Sequence, residues 1–387
     1  MNRQINTLRN GLFAFFCAIF LVSCQGDKLI EPSPACLVNL EIFTTAAGVE
    51  YVRTPDACFE NLPDWDYEPR YVEIDGLQQA YVDVGPPDAD PILLLHGQPS
   101  WSYLYRYMIP VLAEAGHRVI AMDHLGMGRS DKPIDIEYHS FANHVHRLER
   151  FIEELELENT TLFAQDWGSV IGLYLASQNH DLFDRIVVGN GGLPVVDRAS
   201  PLPDDIEASI ADFNRTLNMI PDKQPLFYDE NGNSRLPVTD VDGDATFGQW
   251  IAFALYYEDF RASTMLEALT FEELTPEEKA AYDAPFPTQI TMAGPRSFPG
   301  LLNELVGITE PAIASLTSYD KPFLTIFGGN EPGLGGEDDP QDQMIDSIQG
   351  AIGQKHHRFP DASHFLQDDK GAEIAEMVNR FIAENSR

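Results

Sequence analysis

Basic side chains are scarce in this 387-residue chain: 25 Lys and Arg stand against 61 Asp and Glu, a formal charge of −36. A field of that sign repels phosphate backbones and anionic lipid surfaces, which disfavours both as partners. Cysteine is nearly missing, with four residues, none in the C-x-x-C spacing of a thiolate metal site. The longest apolar stretch, Gly11 to Val22, is twelve residues, too few for the ~30 Å hydrocarbon core of a membrane. No internal repeat is visible, and no motif calls for a cofactor or a metal.

The short apolar stretch follows Arg3 and Arg9 and runs into small residues, the pattern of a secretory signal peptide. Leu21-Val22-Ser23-Cys24 resembles a bacterial lipobox, which implies removal of residues 1–23 and a lipid on Cys24. The expected location is the bacterial cell envelope, periplasmic or outer-surface side, with membrane contact only through that lipid. Cys17 would leave with the leader, so Cys36 and Cys58 remain as an even pair outside the cytoplasm, where a disulfide is expected. Residues 24–48, with Pro32 and Pro34 and no sustained periodicity, read as a tether.

The remainder is 44% apolar and 11% aromatic over the whole chain, enough to build a core. Tyr71 to Ile74 and Ala80 to Val84 alternate as half-buried strands around an Asp75-Gly76 turn. Ile92 to Leu95 is a continuous apolar run of the kind a parallel strand shows when covered on both faces, and it ends in His96-Gly97-Gln98-Pro99. Helix is expected from Tyr103 to Ala115, strand at Val119 to Met122, helix from Phe141 to Leu155, strand from Thr161, helix from Ser169 to Gln178 and strand at Ile186 to Val188. That alternation predicts an α/β fold with a mostly parallel sheet. It stops near Pro194, and short helical patterns rich in proline follow until strands resume at Phe323 to Phe327 and His357 to Phe359, before a last helix from Gly371 to Ala383. The organisation is a first core segment (49–193), a helical cap (194–305) and a second core segment (306–387). Within the cap, Asp229 to Asp244 echoes a calcium loop without completing it, because Ser234 stands where glycine belongs and Asp240 where a bidentate glutamate belongs. It reads as a solvated acidic loop.

The chemistry centres on Thr161 to Gly172. An apolar strand turns into a helix through Ala164-Gln165-Asp166-Trp167-Gly168, a frame matching the G-x-S-x-G elbow of hydrolases with a carboxylate at its apex. A carboxylate is ionised at neutral pH and attacks carbon without prior deprotonation; a helix-capping Asp is the plainer reading of the same residue. His364, in Asp361-Ala362-Ser363-His364-Phe365, follows the nucleophile in chain order and stands after a predicted strand, where a hydrolase histidine belongs.

With these motifs, and with Arg53-Thr54-Pro55-Asp56, His96-Gly97-Gln98-Pro99-Ser100-Trp101-Ser102-Tyr103-Leu104, Asp131-Lys132-Pro133 and Ala284-Pro285-Phe286-Pro287, the chain from Val49 onward resembles the haloalkane dehalogenases. The resemblance implies an α/β-hydrolase fold with an eight-stranded sheet under a helical cap. It implies Asp166 as nucleophile, His364 as base, and the backbone N–H groups of Gln98 and Trp167 as oxyanion hole. Halide would be held by Trp167 and, by likeness of Phe247-Gly248-Gln249-Trp250 to a subfamily with a cap tryptophan, by Trp250. The ligands would be a small apolar halogenated substrate, water and halide. One departure is the triad acid: by count Asn330 takes its place after the strand at 323–327, with Glu331 next, Asp338 and Asp339 further on, and Asn190 at the family's other acid position. Glu331 is the expected acid and Asn330 the alternative. A second departure is a cap some thirty residues longer before Trp250 than is usual in that subfamily. An epoxide hydrolase using Tyr256 or Tyr257, or a lipid-anchored binding protein without turnover, would carry many of the same residues.

Overall fold

The structure is a computed structural model that describes residues 36–37, 40–196, 198–218, 244–331 and 339–386, with backbone alone for 215–218 and 244–246. The leader, Cys24, the acidic stretch 229–243 and Asp338 lie outside the described residues.

Two short strands, β1 (Phe43–Thr44) and β2 (Glu50–Val52), pair antiparallel, so the stretch read as tether already contributes structure before Val49. β3 (Arg70–Ile74) and β4 (Leu77–Val84) form the expected hairpin. Its turn needs φ > 0 at both central residues, and Asp75 and Gly76 supply +52° and +77°. β5 (Pro91–Leu95) is buried throughout. The expected helix from Tyr103 is broken into a 3₁₀ turn at Ser102–Tyr105 and α1 (Ile109–Glu114). Pro110 is the reason, since a residue without N–H is accommodated in a first turn and disrupts an interior.

β6 (Arg118–Met122), β7 (Lys132–Pro133), α2 (Phe141–Glu154), β8 (Thr161–Asp166), α3 (Trp167–Gln178) and β9 (Arg185–Gly191) follow. β7 pairs with β2 rather than joining the main sheet. The cap contributes α4 (Ile206–Asn218), α5 (Asp244–Tyr256), α6 (Ala262–Ala268), α7 (Pro276–Asp283) and α8 (Ala293–Leu301). Next come α9 (Thr309–Leu316), β10 (Phe323–Gly328), α10 (Pro340–Ser347), β11 (His357–Phe359) and α11 (Leu366–Glu384).

The main sheet has eight strands in the order β11-β10-β9-β8-β5-β6-β4-β3, parallel from β11 to β6 and antiparallel at the β4–β3 edge. Side chains of its central strands alternate between two cores. Leu93, Leu95, Leu162, Ala164, Ile186 and Val188 pack with α2 and α3 on one face, while Ile92, Leu94, Phe163, Val187 and Ile326 pack with α1 and α11 on the other. Burial on both faces is what the continuous apolar runs encode, each large side chain contributing roughly 1.5–3 kcal/mol. The cap has its own aromatic cluster, built on Phe213, Phe253 and Phe260. One side of the cap is tied to the body. Arg106, fully buried, pairs with Glu278 of α7 at 2.7 Å and with Asp368, and Trp101 Nε1 donates to Ala281 O at 3.1 Å.

The arm before β3 is fastened at several points. Arg53 grips Asp131 through Nε (2.6 Å) and Nη2 (3.1 Å), Thr54 donates to Pro285 O at 2.6 Å, and Cys36 and Cys58 form the expected disulfide. The bridged residues are 22 apart in sequence, and a closed loop of that size restricts the unfolded chain by about 3 kcal/mol. Cys58→Ser is therefore expected to lower the unfolding free energy by about that amount. Urea unfolding of wild type with and without reductant, beside the variant, checks this; identical curves would show that the bridge contributes nothing.

Candidate active site

Asp166 closes β8 at φ +48°, ψ −127°, a backbone region that non-glycine residues seldom occupy. The bend turns its side chain out above the sheet while α3 starts at once. It is possible only because the neighbours are small: a Cβ on Gly97 would lie 2.2 Å from Asp166 Oδ1, and one on Gly168 would lie 2.2 Å from Leu95 O. Ser169 Oγ donates to Asp166 O at 2.6 Å and accepts from Gly192 N at 2.8 Å, which pins the turn to the end of β9.

From the loop after β5, Gln98 N donates to Asp166 Oδ1 at 2.8 Å. The Gln98 side chain donates to Pro295 O of α8 at 2.9 Å. His96, fully buried, braces this loop by contacting Gly97 O at 2.8 Å and accepting from His124 N at 3.0 Å. Burial pushes its pKa down to about 4, so it is neutral.

His364 lies on the loop between β11 and α11. Asn190 holds that loop: its amide nitrogen donates to Ser363 O and to His364 O (3.0 Å), and its Oδ1 accepts from Gly328 N at 2.7 Å. Asp369 fastens it from below, accepting from Ser363 N at 2.8 Å and also from Phe271 N and Glu272 N of the cap at 2.9 and 2.8 Å. The imidazole so placed has its Nδ1 at 3.0 and 2.9 Å from the two oxygens of Glu331 and its Nε2 at 3.6 Å from Asp166 Oδ2. Glu331 is only 4% exposed. Burial would lower the His364 pKa, but the Glu331 charge together with the Asp166 and Glu331 contacts outweighs it and raises the value to about 10.

Of the two residues weighed for the acid, Glu331 faces the imidazole and Asn330 does not. Asn330 donates its backbone N–H to Ala362 O at 3.0 Å and its side-chain amide to Pro360 O at 2.8 Å, so it points away from the imidazole and the next residue faces it. Asn190 acts on the loop backbone rather than on the ring, and Asp339 caps α10 and pairs with Arg358 at 2.8 Å.

Trp167 follows Asp166 directly, is 7% exposed and meets Phe298 of α8 edge-on at 5.5 Å. Trp250 is half-buried in the cap cluster, stacked on Phe213 at 5.3 Å and near Phe253 and Phe260. The structure does not bring it into ring contact with Trp167. Phe286 packs against both the cap cluster and the core that holds Trp167, and so connects them. The two cap tyrosines differ in setting. Tyr256 is 52% exposed, and the Tyr257 hydroxyl accepts from Asn214 at 3.2 Å. No group of three or more His, Cys, Asp or Glu is placed to hold a metal among the described residues.

Sequence reasoning missed the work of Asn190, Asp369 and Phe298. It quoted Gln165 only as part of a motif, although the residue's amide touches His364. A polar residue inside a buried parallel strand was the available signal.

The sheet order, the carboxylate elbow and the histidine after the last strand define an α/β-hydrolase, and the family model described as alpha/beta hydrolase fold matches residues 90–227. Haloalkane dehalogenase of Mycolicibacterium paratuberculosis is 39% identical over 337 residues, spanning 84% of this chain and 96% of its own. That of Psychrobacter cryohalolentis is 34% identical over 349 residues, spanning 88% and 100%. Among solved structures, the tetrameric haloalkane dehalogenase of Paraglaciecola agarilytica superposes with a TM-score of 0.66 at 29% identity, over 85% of this chain and 97% of its own. The chain belongs to the haloalkane dehalogenase family.

The ion pairs of His364 carry a sign that can be measured. Folding raises its pKa from 6.5 to about 10, so its contribution to stability is complete below about pH 6.5 and is lost as pH rises through about 10. The unfolding free energy of wild type is expected to fall over that window, and to fall less in Glu331→Gln, where one carboxylate is gone. Parallel slopes for the two proteins in denaturant titrations across pH 6–10.5 would contradict the assignment.

Proposed function

We propose that the protein hydrolyses small haloalkanes to alcohol and halide through an alkyl ester on Asp166. The observation that carries this reading is the line Asp166–His364–Glu331 with a backbone N–H already on the nucleophile. Oδ1 is held by Gln98 N, which leaves Oδ2, the oxygen facing His364, to attack the halogen-bearing carbon as the carbon–halogen bond breaks. Trp167, and Trp250 from the cap, would donate indole N–H groups to the departing halide in a largely apolar space. Water then attacks the ester carbonyl carbon and gives its proton to His364 Nε2, while the negative oxygen that develops at Oδ1 is met by Gln98 N and Trp167 N. Collapse releases the alcohol and restores the carboxylate.

The order of events follows from charge. The charges of Glu331 and Asp166 draw the imidazole toward imidazolium, a poor base. Esterification neutralises Asp166 and removes one of the two charges responsible, so the ring becomes able to accept a proton when a base is needed. Glu331 remains to orient Nδ1–H and to stabilise the cation that forms. With Glu331 in that role, a binding protein without turnover has less to support it. The Cys36–Cys58 bridge fits an oxidising compartment, and we propose an exported, lipid-anchored protein on that ground and on the Cys24 motif.

The test is halide release from 1,2-dibromoethane and 1-chlorobutane, with styrene oxide as the contrasting substrate. Asp166→Asn is expected to abolish release. His364→Phe should release one equivalent of halide and stop, with the alkyl adduct on residue 166 visible by mass spectrometry. Diol from the epoxide without halide would overturn the reading. Glu331→Gln should slow turnover by as much as about ten-thousandfold, whereas Asn330→Ala should stay within about tenfold of wild type, since its contacts are to the loop backbone; the reverse ranking in steady-state halide assays would move the acid back to 330.

A further inference from the structure

Gln165 precedes the nucleophile on β8 and is fully buried. It pairs across the sheet with Gly189, and a bulge separates it from Asp166, so there is room for a long side chain to run toward the β11–α11 loop. Its amide nitrogen lies 3.2 Å from His364 O and 3.1 Å from His364 Nε2. Its oxygen, Oε1, is buried and makes no hydrogen bond to the described residues.

The His364 carbonyl fixes which end of the amide faces the histidine. A carbonyl oxygen only accepts, so the atom beside it is the NH₂ group. With one hydrogen on that carbonyl, the other is directed at ring Nε2, which accepts only when it carries no proton. At the opposite side of the ring Nδ1 faces Glu331, an acceptor, so Nδ1 bears the hydrogen. The two contacts together describe one state of the ring: neutral, protonated on Nδ1, with the Nε2 lone pair exposed.

The charged groups facing the ring are Glu331, after β10, and Asp166, on the elbow, and both favour the imidazolium instead. Gln165 is the one neighbour described at Nε2 that opposes them. Leaving a buried acceptor bare is costly, and a leucine would occupy the same space without that cost, so packing alone is a poor account of a glutamine here. We propose that Gln165 is a positioning residue that presents the Nε2 lone pair of neutral His364 toward the ester, holding it until the attacking water takes over the bond. The proposal rests on the roles given above to Asp166 and His364.

The experiment uses the full chain with Gln165→Leu, which fills the space without donating, and Gln165→Glu, which keeps the shape and replaces the donor with a second carboxylate. Rapid-quench mass spectrometry with 1,2-dibromoethane follows formation and decay of the adduct on Asp166 separately, from pH 6 to 10. Formation should stay within about twofold of wild type in both variants, because Gln165 does not touch the attacking oxygen. Decay at pH 7 should fall about tenfold in Gln165→Leu and recover with rising pH, its apparent pKa displaced upward by about one unit; in Gln165→Glu the loss should be about a hundredfold. Decay unchanged in both variants, or slowed equally at every pH, would assign Gln165 to packing and overturn the inference. If wild type forms no adduct at residue 166, the underlying role of Asp166 fails, and the proposal falls with it through a different observation.

Discussion

At φ +48° the backbone of Asp166 occupies a region where an L-residue is held only by its surroundings. Those surroundings are the hydrolase site. Gly97 and Gly168 have no side chains because the bend leaves no space for them, and Ser169 locks the turn to the next strand. The same bend lets the Gln98 N–H reach Oδ1 and turns Oδ2 toward His364. One strained residue thus sets how Asp166, the Gln98 N–H and His364 meet at the end of the parallel sheet.

Electrostatics adds timing to that geometry. A buried imidazole between two carboxylates is drawn toward the cation, and neutralising Asp166 would remove one of the two charges responsible. The two acids differ in setting: Asp166 is a quarter exposed at its side chain, while Glu331 is 4% exposed.

Much of this was legible in the sequence because it is written in local patterns. Continuous apolar runs from Ile92 and Thr161 gave parallel strands, Asp75-Gly76 gave the hairpin, and Gln165-Asp166-Trp167-Gly168 gave the elbow. The third acid was harder because it depends on how the chain leaves β10. Gly329 and Asn330 bond to the backbone of Phe359 and Ala362, and that stitching, invisible in one dimension, decides that Glu331 and not Asn330 faces the ring. The break of the helix after Tyr103 is encoded by Pro110, which suits a first turn and not an interior. The neighbours of Trp250 depend on tertiary packing within the cap, which residue spacing does not encode.

The hydrogen bond from Gln98 Nε2 to Pro295 O joins the residue whose backbone holds Asp166 Oδ1 to a helix of the cap. In an enzyme whose cap only shaped the pocket, exchanging that layer with a relative's would alter which substrates fit and leave the chemical step alone. Here the two properties share a residue. A chimaera carrying a foreign cap inherits a foreign setting of the Gln98 N–H beside Asp166 as well, and its rate on even the smallest substrate becomes a property of the pairing between cap and body.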